Sequence, residues 1–407
     1  MKQRWTRRQV LETGGMLLAG TGISKAQSKP RILVVGAGAF GGWTALSLLR
    51  KGALVTLLDA WGPGNSRASS GGETRVIRAT YGSQKIYVDL VARALELWRE
   101  NEARFRRKLL FPCGSLRLTK DESYGKTAVP LLREAGLKVD ELSPKELRSR
   151  YPQMNVEGIG QGLFEHDAGY LLARRACQAV LESFVAEGGK YRQKAVEPTE
   201  VEEGLPQGLF LTDGTYALAD QYVFACGPWL PELFPRTIGG RIRPNRQEVF
   251  FFGAPAGEPG FTEEKMPCFL DGAYAPSFYG IPGNEYRGFK VAGGMEDAPA
   301  FDPTNGDRRA SREQEEAVRR YLGFRFPAMK GAPLVESRVC QYESTPDSDF
   351  ILDRHPRADH VWLLGGGSGH GFKHGPAIGE SAAATILGEI RPDPKFSLSR
   401  LKIGSLP

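Results

Sequence analysis

Four apolar residues in a row, Ile32–Val35, open the first patterned stretch of the chain, and such a run fits a strand of a parallel sheet covered on both faces. Gly36, Gly38 and Gly41 follow at once; Ala45, Leu46, Leu48 and Leu49 then mark a helix, and a second apolar strand, Val55–Leu58, ends at Asp59. The same strand and helix rhythm returns further along. Tyr170–Gly189 predicts a helix, strands are expected around Lys194–Val196 and Gly208–Thr212, and Val361–Leu364 predicts a strand running through Gly365–Gly371 into a helix from about Pro376. Two stretches break the rhythm, 111–165 and 239–334; the second is rich in Phe, Tyr, Pro and Gly and predicts antiparallel sheet. Within it, Tyr279 and Lys290 flank GIPGNEYRGF, a hairpin whose symmetric pairing about Asn284 and Glu285 would set 279 opposite 290 on one face. The fold class expected is therefore α/β (α+β overall). A Rossmann domain is assembled from 30–110, 166–238 and 335–395, and an antiparallel β-rich domain from 111–165 and 239–334 is threaded through it.

The glycines carry the first chemistry. Gly36, Gly38 and Gly41 form G-x-G-x-x-G between a strand and a helix, with Asp59 at the end of the next strand, which is the context a dinucleotide site requires. Backbone at the helix N-terminus can then approach a pyrophosphate, and Asp59 can accept hydrogen bonds from a ribose. Near the other end, VESRVCQYESTPDSDFILDRHP (335–356) places Arg338, Cys340 and Tyr342 at period two, hence on one strand face, so that Arg338 would favour ionisation of Cys340. The loop Gly365–Gly371 ahead of its helix offers N–H groups to an anion.

Composition adds limits. The 407 residues are 41% hydrophobic and 25% charged, as expected of a soluble globular protein with room for a buried cofactor. The net charge of +7 owes much to residues 1–26, with five Lys/Arg against Glu12; without them 49 basic and 46 acidic residues leave +3, too balanced to argue for nucleic acid. Thr6-Arg7-Arg8 with Val10-Leu11, the apolar Gly14–Ile23 and small Ser24 and Ala26 resemble a twin-arginine signal over 1–26. Passage through the Tat translocase to the periplasm or outside, with no permanent membrane span, is the expectation. Five scattered cysteines (113, 177, 226, 268, 340) show no metal-ligand spacing, so no metal is expected.

Three further motifs, GNSRASSGGETRVIRATYG (64–82), ADQYVFACGPW (219–229) and GGGSGHGFK (365–373), join the opening βαβ unit in a resemblance to glutathione-reductase-like FAD proteins of the D-amino-acid oxidase superfamily. The group resembled contains monomeric sarcosine oxidase, N-methyltryptophan oxidase and pipecolate oxidase. The resemblance implies FAD, held at Gly36, Gly38, Gly41, Asp59, Ser70, Thr74, Arg75, Val196, Gly227, Trp229, Gly369, Gly371 and Lys373. It implies a covalent thioether from Cys340 to the flavin, because C-x-Y followed by T-x-D-x-x-F-I-x-D-x-x-P reads here as Cys340, Tyr342, Thr345, Asp347, Phe350, Asp353 and Pro356. It further implies an amino-acid substrate whose carboxylate meets Arg78 and Lys373 between Tyr279 and Tyr342, with Lys290 activating O2 and with Arg75, Tyr279 and His370 as further catalytic residues near the flavin. The expected reaction is oxidation of a secondary or N-substituted amino acid, giving an imine and hydrogen peroxide, by a monomer. A dehydrogenase using a quinone or carrier, and a flavin-loaded binding protein without turnover, are the alternatives. One departure stands out: sarcosine-type members have a histidine shortly after this lysine, where this chain reads KVAGGMEDAPAFDP, which predicts more room beside Gly293 and Gly294.

Overall fold

A computed structural model describes residues 29–197, 208–294 and 298–401, so the expected signal at 1–26 lies outside the described residues. Arg31–Val35 occupies the middle of a six-stranded sheet, parallel to Leu54–Asp59 on one side and Gln221–Phe224 on the other. Lys190–Gln193 and Ala358–Gly365 extend it in parallel, and only the edge strand Ile351–His355 runs antiparallel. The apolar runs found in the sequence are the buried central strands. Helices Ala39–Arg50, Lys85–Phe105, Ala173–Ala186 and Gly375–Ile386 share one apolar cluster with that sheet, through Leu46, Trp98, Phe184 and Ile378 among others.

Two expected boundaries move. Tyr170–Leu172 is strand rather than helix, because Gly169–Leu172 pairs with Thr74–Ile77 and Leu110–Phe111 in a three-stranded sheet, and the helix starts only at Ala173. Tertiary pairing here overrides a locally helical pattern. The strand expected around Lys194–Val196 lies earlier, at Lys190–Gln193, with Val196 making one isolated bridge to Leu211.

The second layer is an eight-stranded sheet, antiparallel except where Ser115–Thr119 runs parallel to Cys268–Asp271. Leu334–Ser344 pairs with Arg243–Phe252 from Arg243/Ser344 to Phe252/Leu334. The cysteine strand, expected in the nucleotide-binding segment 335–395, is thus hydrogen-bonded to this sheet. Alternation along the strands divides its faces. One buries Leu116, Phe250, Phe269, Phe289 and Val291 against helix Arg312–Arg325, and the other carries Leu270, Tyr279 and Lys290. The hairpin register also differs from expectation: Tyr279 pairs with Ala292, and Lys290 with Ile281. The turn is Asn284–Arg287, closed by Arg287 N–H donating to Asn284 O at 2.9 Å, with Glu285 (φ 47°) and Tyr286 (φ 61°) left-handed, as a two-residue hairpin turn of right twist demands. A two-residue offset preserves facing, so Tyr279 and Lys290 still share a side.

Candidate active site

Between the two layers lies an elongated cavity of about 420 Å³. Its near end is the glycine turn. Gly36 has φ 104°, and a Cβ there would stand 2.3 Å from Ala225 O; a Cβ on Gly41 would stand 1.9 Å from Gly36 O. Gly36 and Gly38 line the cavity, whereas Gly41 lies behind the turn and lets the helix approach it. Helix Ala39–Arg50 has no side-chain cap, which leaves first-turn amides for an anion. Asp59 accepts from the N–H of Ala37 (2.7 Å), Trp61 (2.9 Å) and Gly62 (2.7 Å), and burial pushes its carboxyl up against those three donors. Ser70, Val196, Gly227 and Trp229 complete this end.

At the far end Gly369 and Gly371 line the cavity together with two tyrosines. Gly369 (φ 76°) packs under the Tyr342 ring, which would lie 2.5 Å from an added Cβ. Tyr279 and Tyr342 line the cavity, their hydroxyl pKa values raised by burial. Arg75 donates to Thr74 O (2.9 Å), to Ser69 O (2.6 Å) and to Cys340 Sγ (3.4 Å). The guanidinium at the sulfur is therefore that of Arg75; Arg338, expected there, turns to Glu73 at 3.2 Å. Lys290 is 2% exposed, and its Nζ donates to Thr74 O at 2.9 Å. Burial, then Arg75, pushes this amine down to about 7. Lys290, Arg75 and Cys340 share a small cleft beside the main cavity, and Thr74 lies beneath it as the acceptor for Lys290.

Arg78 and Lys373 converge on Tyr81, the guanidinium carbon 4.6 Å and the ammonium 5.1 Å from its ring centre. Lys373 Nζ donates to His370 O at 2.9 Å, and burial, then Arg78, holds it well below the usual lysine range. His370 Nε2 lies 2.9 Å from Ser348 O, a pure acceptor, so that nitrogen carries the proton. His370 Nδ1 then accepts from the Tyr81 hydroxyl (2.9 Å), which in turn accepts from His374 Nε2–H (2.8 Å). Both His370 ring nitrogens are thereby occupied, and burial holds its pKa down to about 3. Its place is in the scaffold that positions Lys373, and the expected catalytic role has no free nitrogen to work with.

A family model described as FAD dependent oxidoreductase (DAO) matches residues 31–385. The chain belongs to that family. This oxidoreductase is 29% identical to a monomeric sarcosine oxidase of Arthrobacter sp. (strain TE1826), over 91% of this chain and 96% of that one. It is 29% identical to the peroxisomal sarcosine oxidase of Homo sapiens (92% and 96%) and 29% identical to an N-methyl-L-tryptophan oxidase of Yersinia pestis (91% and 99%). An L-proline dehydrogenase from P. horikoshii shares the fold, with a TM-score of 0.78 at 20% identity over 91% of this chain and 97% of that one.

The residues present suit FAD. The near end offers backbone rather than side chains, as a close-lying pyrophosphate needs, and the far end is positive, as the flavin pyrimidine and a carboxylate need. Gly41→Ala of the oxidoreductase is expected to force the turn open and lower the flavin content per protein, read as the ratio of 450 to 280 nm absorbance; an unchanged ratio would contradict the cradle. Sequence reasoning missed Tyr81, three positions after Arg78, and Glu343, whose buried carboxyl lines the cavity and accepts from Ser69 Oγ at 2.7 Å. A carboxylate next to a tyrosine on a strand reads as solvent-facing, so nothing flagged it. The room expected beside the two glycines is also taken: a Cβ on Gly294 would meet the Phe278 ring at 2.4 Å, and one on Gly293 would meet Ser277 O at 2.5 Å.

Proposed function

We propose that this oxidoreductase oxidises a secondary or N-substituted amino acid with oxygen as acceptor, releasing an imine that hydrolyses in water, and hydrogen peroxide. Bound FAD supplies the hydride acceptor and the route of two electrons to oxygen. The observation that carries this reading is the pair Arg78 and Lys373, two cations set on one tyrosine ring at the cavity end with no carboxylate at ion-pairing distance among the described residues. The buried Glu165 behind them is taken up by the N–H groups of Ala79 (2.6 Å) and Thr80 (3.0 Å), which leaves the pair room for a second anion, and a planar guanidinium suits a carboxylate. Tyr279 and Tyr342 exclude water and orient the substrate over the ring. Lys290 presents a fixed positive charge where negative charge develops on oxygen. The sarcosine and N-methyltryptophan oxidases to which the chain is similar support the same substrate class. Anaerobic mixing of the yellow protein with N-methyl and cyclic amino acids is the test: bleaching by members of the panel supports the proposal, and a flavin that none of them bleaches ends it.

The proposal extends to a thioether at Cys340, in which the S–H and one C–H of the flavin's ring methyl would be lost, the two electrons passing to the ring and from it to oxygen. The Cys340 sulfur lies 3.4 Å from Arg75 Nη2, in the small cleft it shares with Arg75 and Lys290 beside the main cavity. Acid precipitation is expected to leave a yellow pellet and an intact mass raised by one FAD, while Cys340→Ser gives a white pellet. Bare polypeptide from the parent protein would dismiss the tether and leave the substrate class standing.

A further inference from the structure

The flavin-facing side of the eight-stranded sheet carries a cation that this reaction has not used. Arg117 on Ser115–Thr119 pairs with Leu270, and Leu270 pairs with Tyr279, so the three share a row across adjacent strands and one face. Leu270 and Tyr279 both line the cavity. Arg117 is half-buried, yet among the described residues its guanidinium makes no hydrogen bond and no ion pair, and its Nε is fully buried without a partner. It lies over the ring of Tyr124, 5.0 Å from the centre, and reaches Gly272, where an added Cβ would stand 3.1 Å from Nη2. A ring face offsets part of the charge but satisfies no N–H donor in the guanidinium plane. Asp271, the nearby acid, is already held by Arg325 (2.7 Å) and Tyr321 (3.0 Å) beyond the sheet.

The position is tied to the carboxylate clamp. Tyr124 Oη donates to Thr80 O at 2.9 Å, and Arg78 donates to the same carbonyl, so one tyrosine ring separates the two guanidinium groups. Burial, then Arg78, pulls the Arg117 pKa below its usual value, as expected for a cation lacking a counter-ion. Two strand spacings, about 10 Å, separate the Arg117 and Tyr279 backbones, and the guanidinium, over Tyr124 and beside Gly272, stands one strand beyond the residues that line the cavity, at its edge.

We propose that Arg117 is a second anion subsite, and that the substrate is a secondary amino acid bearing a second carboxylate on its side chain, the α-carboxylate going to Arg78 and Lys373 and the distal one to Arg117. This rests on the oxidase reading above, and it narrows it from any N-substituted amino acid to a dianionic one. An unpaired, partly desolvated guanidinium costs stability in the empty protein, which a distal carboxylate recovers on binding.

The probes are N-methyl-L-glutamate and its neutral isostere N-methyl-L-glutamine, compared by apparent affinity in anaerobic flavin reduction. Binding of glutarate and of its monoamide, read from the flavin difference spectrum, gives a second comparison that needs no turnover. The parent protein is expected to favour the dianion by at least about tenfold in both comparisons, as for a charge-assisted hydrogen bond. Arg117→Gln should collapse that ratio toward one, and Arg117→Lys should keep part of it. A parent protein indifferent to the distal charge, or a ratio that survives in Arg117→Gln, overturns the subsite. If no amine reduces the flavin while glutarate still outbinds its monoamide through Arg117, the oxidase reading falls and the subsite stands.

Discussion

Lys290→Met is expected to slow the reaction of the reduced protein with dissolved oxygen by about 10²- to 10³-fold, with a much smaller effect on reduction by substrate. The argument is electrostatic. The amine is 2% exposed, fixed by its bond to Thr74 O, and placed beside Arg75 and Cys340, so no solvent must reorganise as charge moves onto oxygen. Methionine keeps the volume and removes the charge. The pH dependence has a definite sign. With the amine pulled down to about 7, the charged form dominates below that value, and the oxygen reaction should fall as pH rises through it. Negative charge in the cavity stabilises the ammonium, so the descending limb in the loaded protein belongs at or above about 7. Double-mixing stopped flow, with reduction first and aerated buffer second, measures both; equal reoxidation rates for parent and variant would remove Lys290 from the oxygen step.

Arg78→Gln is the second large effect. A bidentate guanidinium–carboxylate contact in a partly buried site is worth about 3–4 kcal/mol, or roughly 10²- to 10³-fold in kcat/KM. The loss should fall mainly on substrate affinity, because the proposed contact would hold the α-carboxylate equally before and during hydride transfer. Arg78→Lys should recover part of it, since an ammonium keeps the charge and loses the planar fork. Titration of the anaerobic flavin with the best amine of the panel reads the apparent affinity directly. A variant that binds as tightly as the parent would move the clamp elsewhere, and Lys373 would be the next residue to substitute.

Much of this arrangement is legible in the sequence. The run Ile32–Val35, the three glycines and Asp59 announce the central parallel strand and its turn because local pattern and tertiary role agree there. The period-two spacing of Cys340 and Tyr342 correctly set both on one face. What escaped depended on distance along the chain. Arg338 is two residues from Cys340, yet Arg75 reaches the sulfur, since the partner is decided by how two sheets face each other. The hairpin slipped by two because the turn expected about Asn284 and Glu285 sits one residue later, at Glu285 and Tyr286, unusual residues for left-handed backbone. Arg117 had no motif around it, and its meaning came only from the row it forms with Leu270 and Tyr279.

The glycine cradle and the cysteine strand sit on different sheets, the first on the six-stranded layer and the second on the edge of the eight-stranded one. The cavity between them is lined from both layers, by Gly36, Gly38 and Asp59 on one side and by Leu270, Tyr279 and Tyr342 on the other. A flavin bonded at Cys340, as proposed, would need the layers docked before its capture and would rivet them together afterwards. The loaded protein should then melt and resist proteases as a single unit, while the empty form can come apart at the seam.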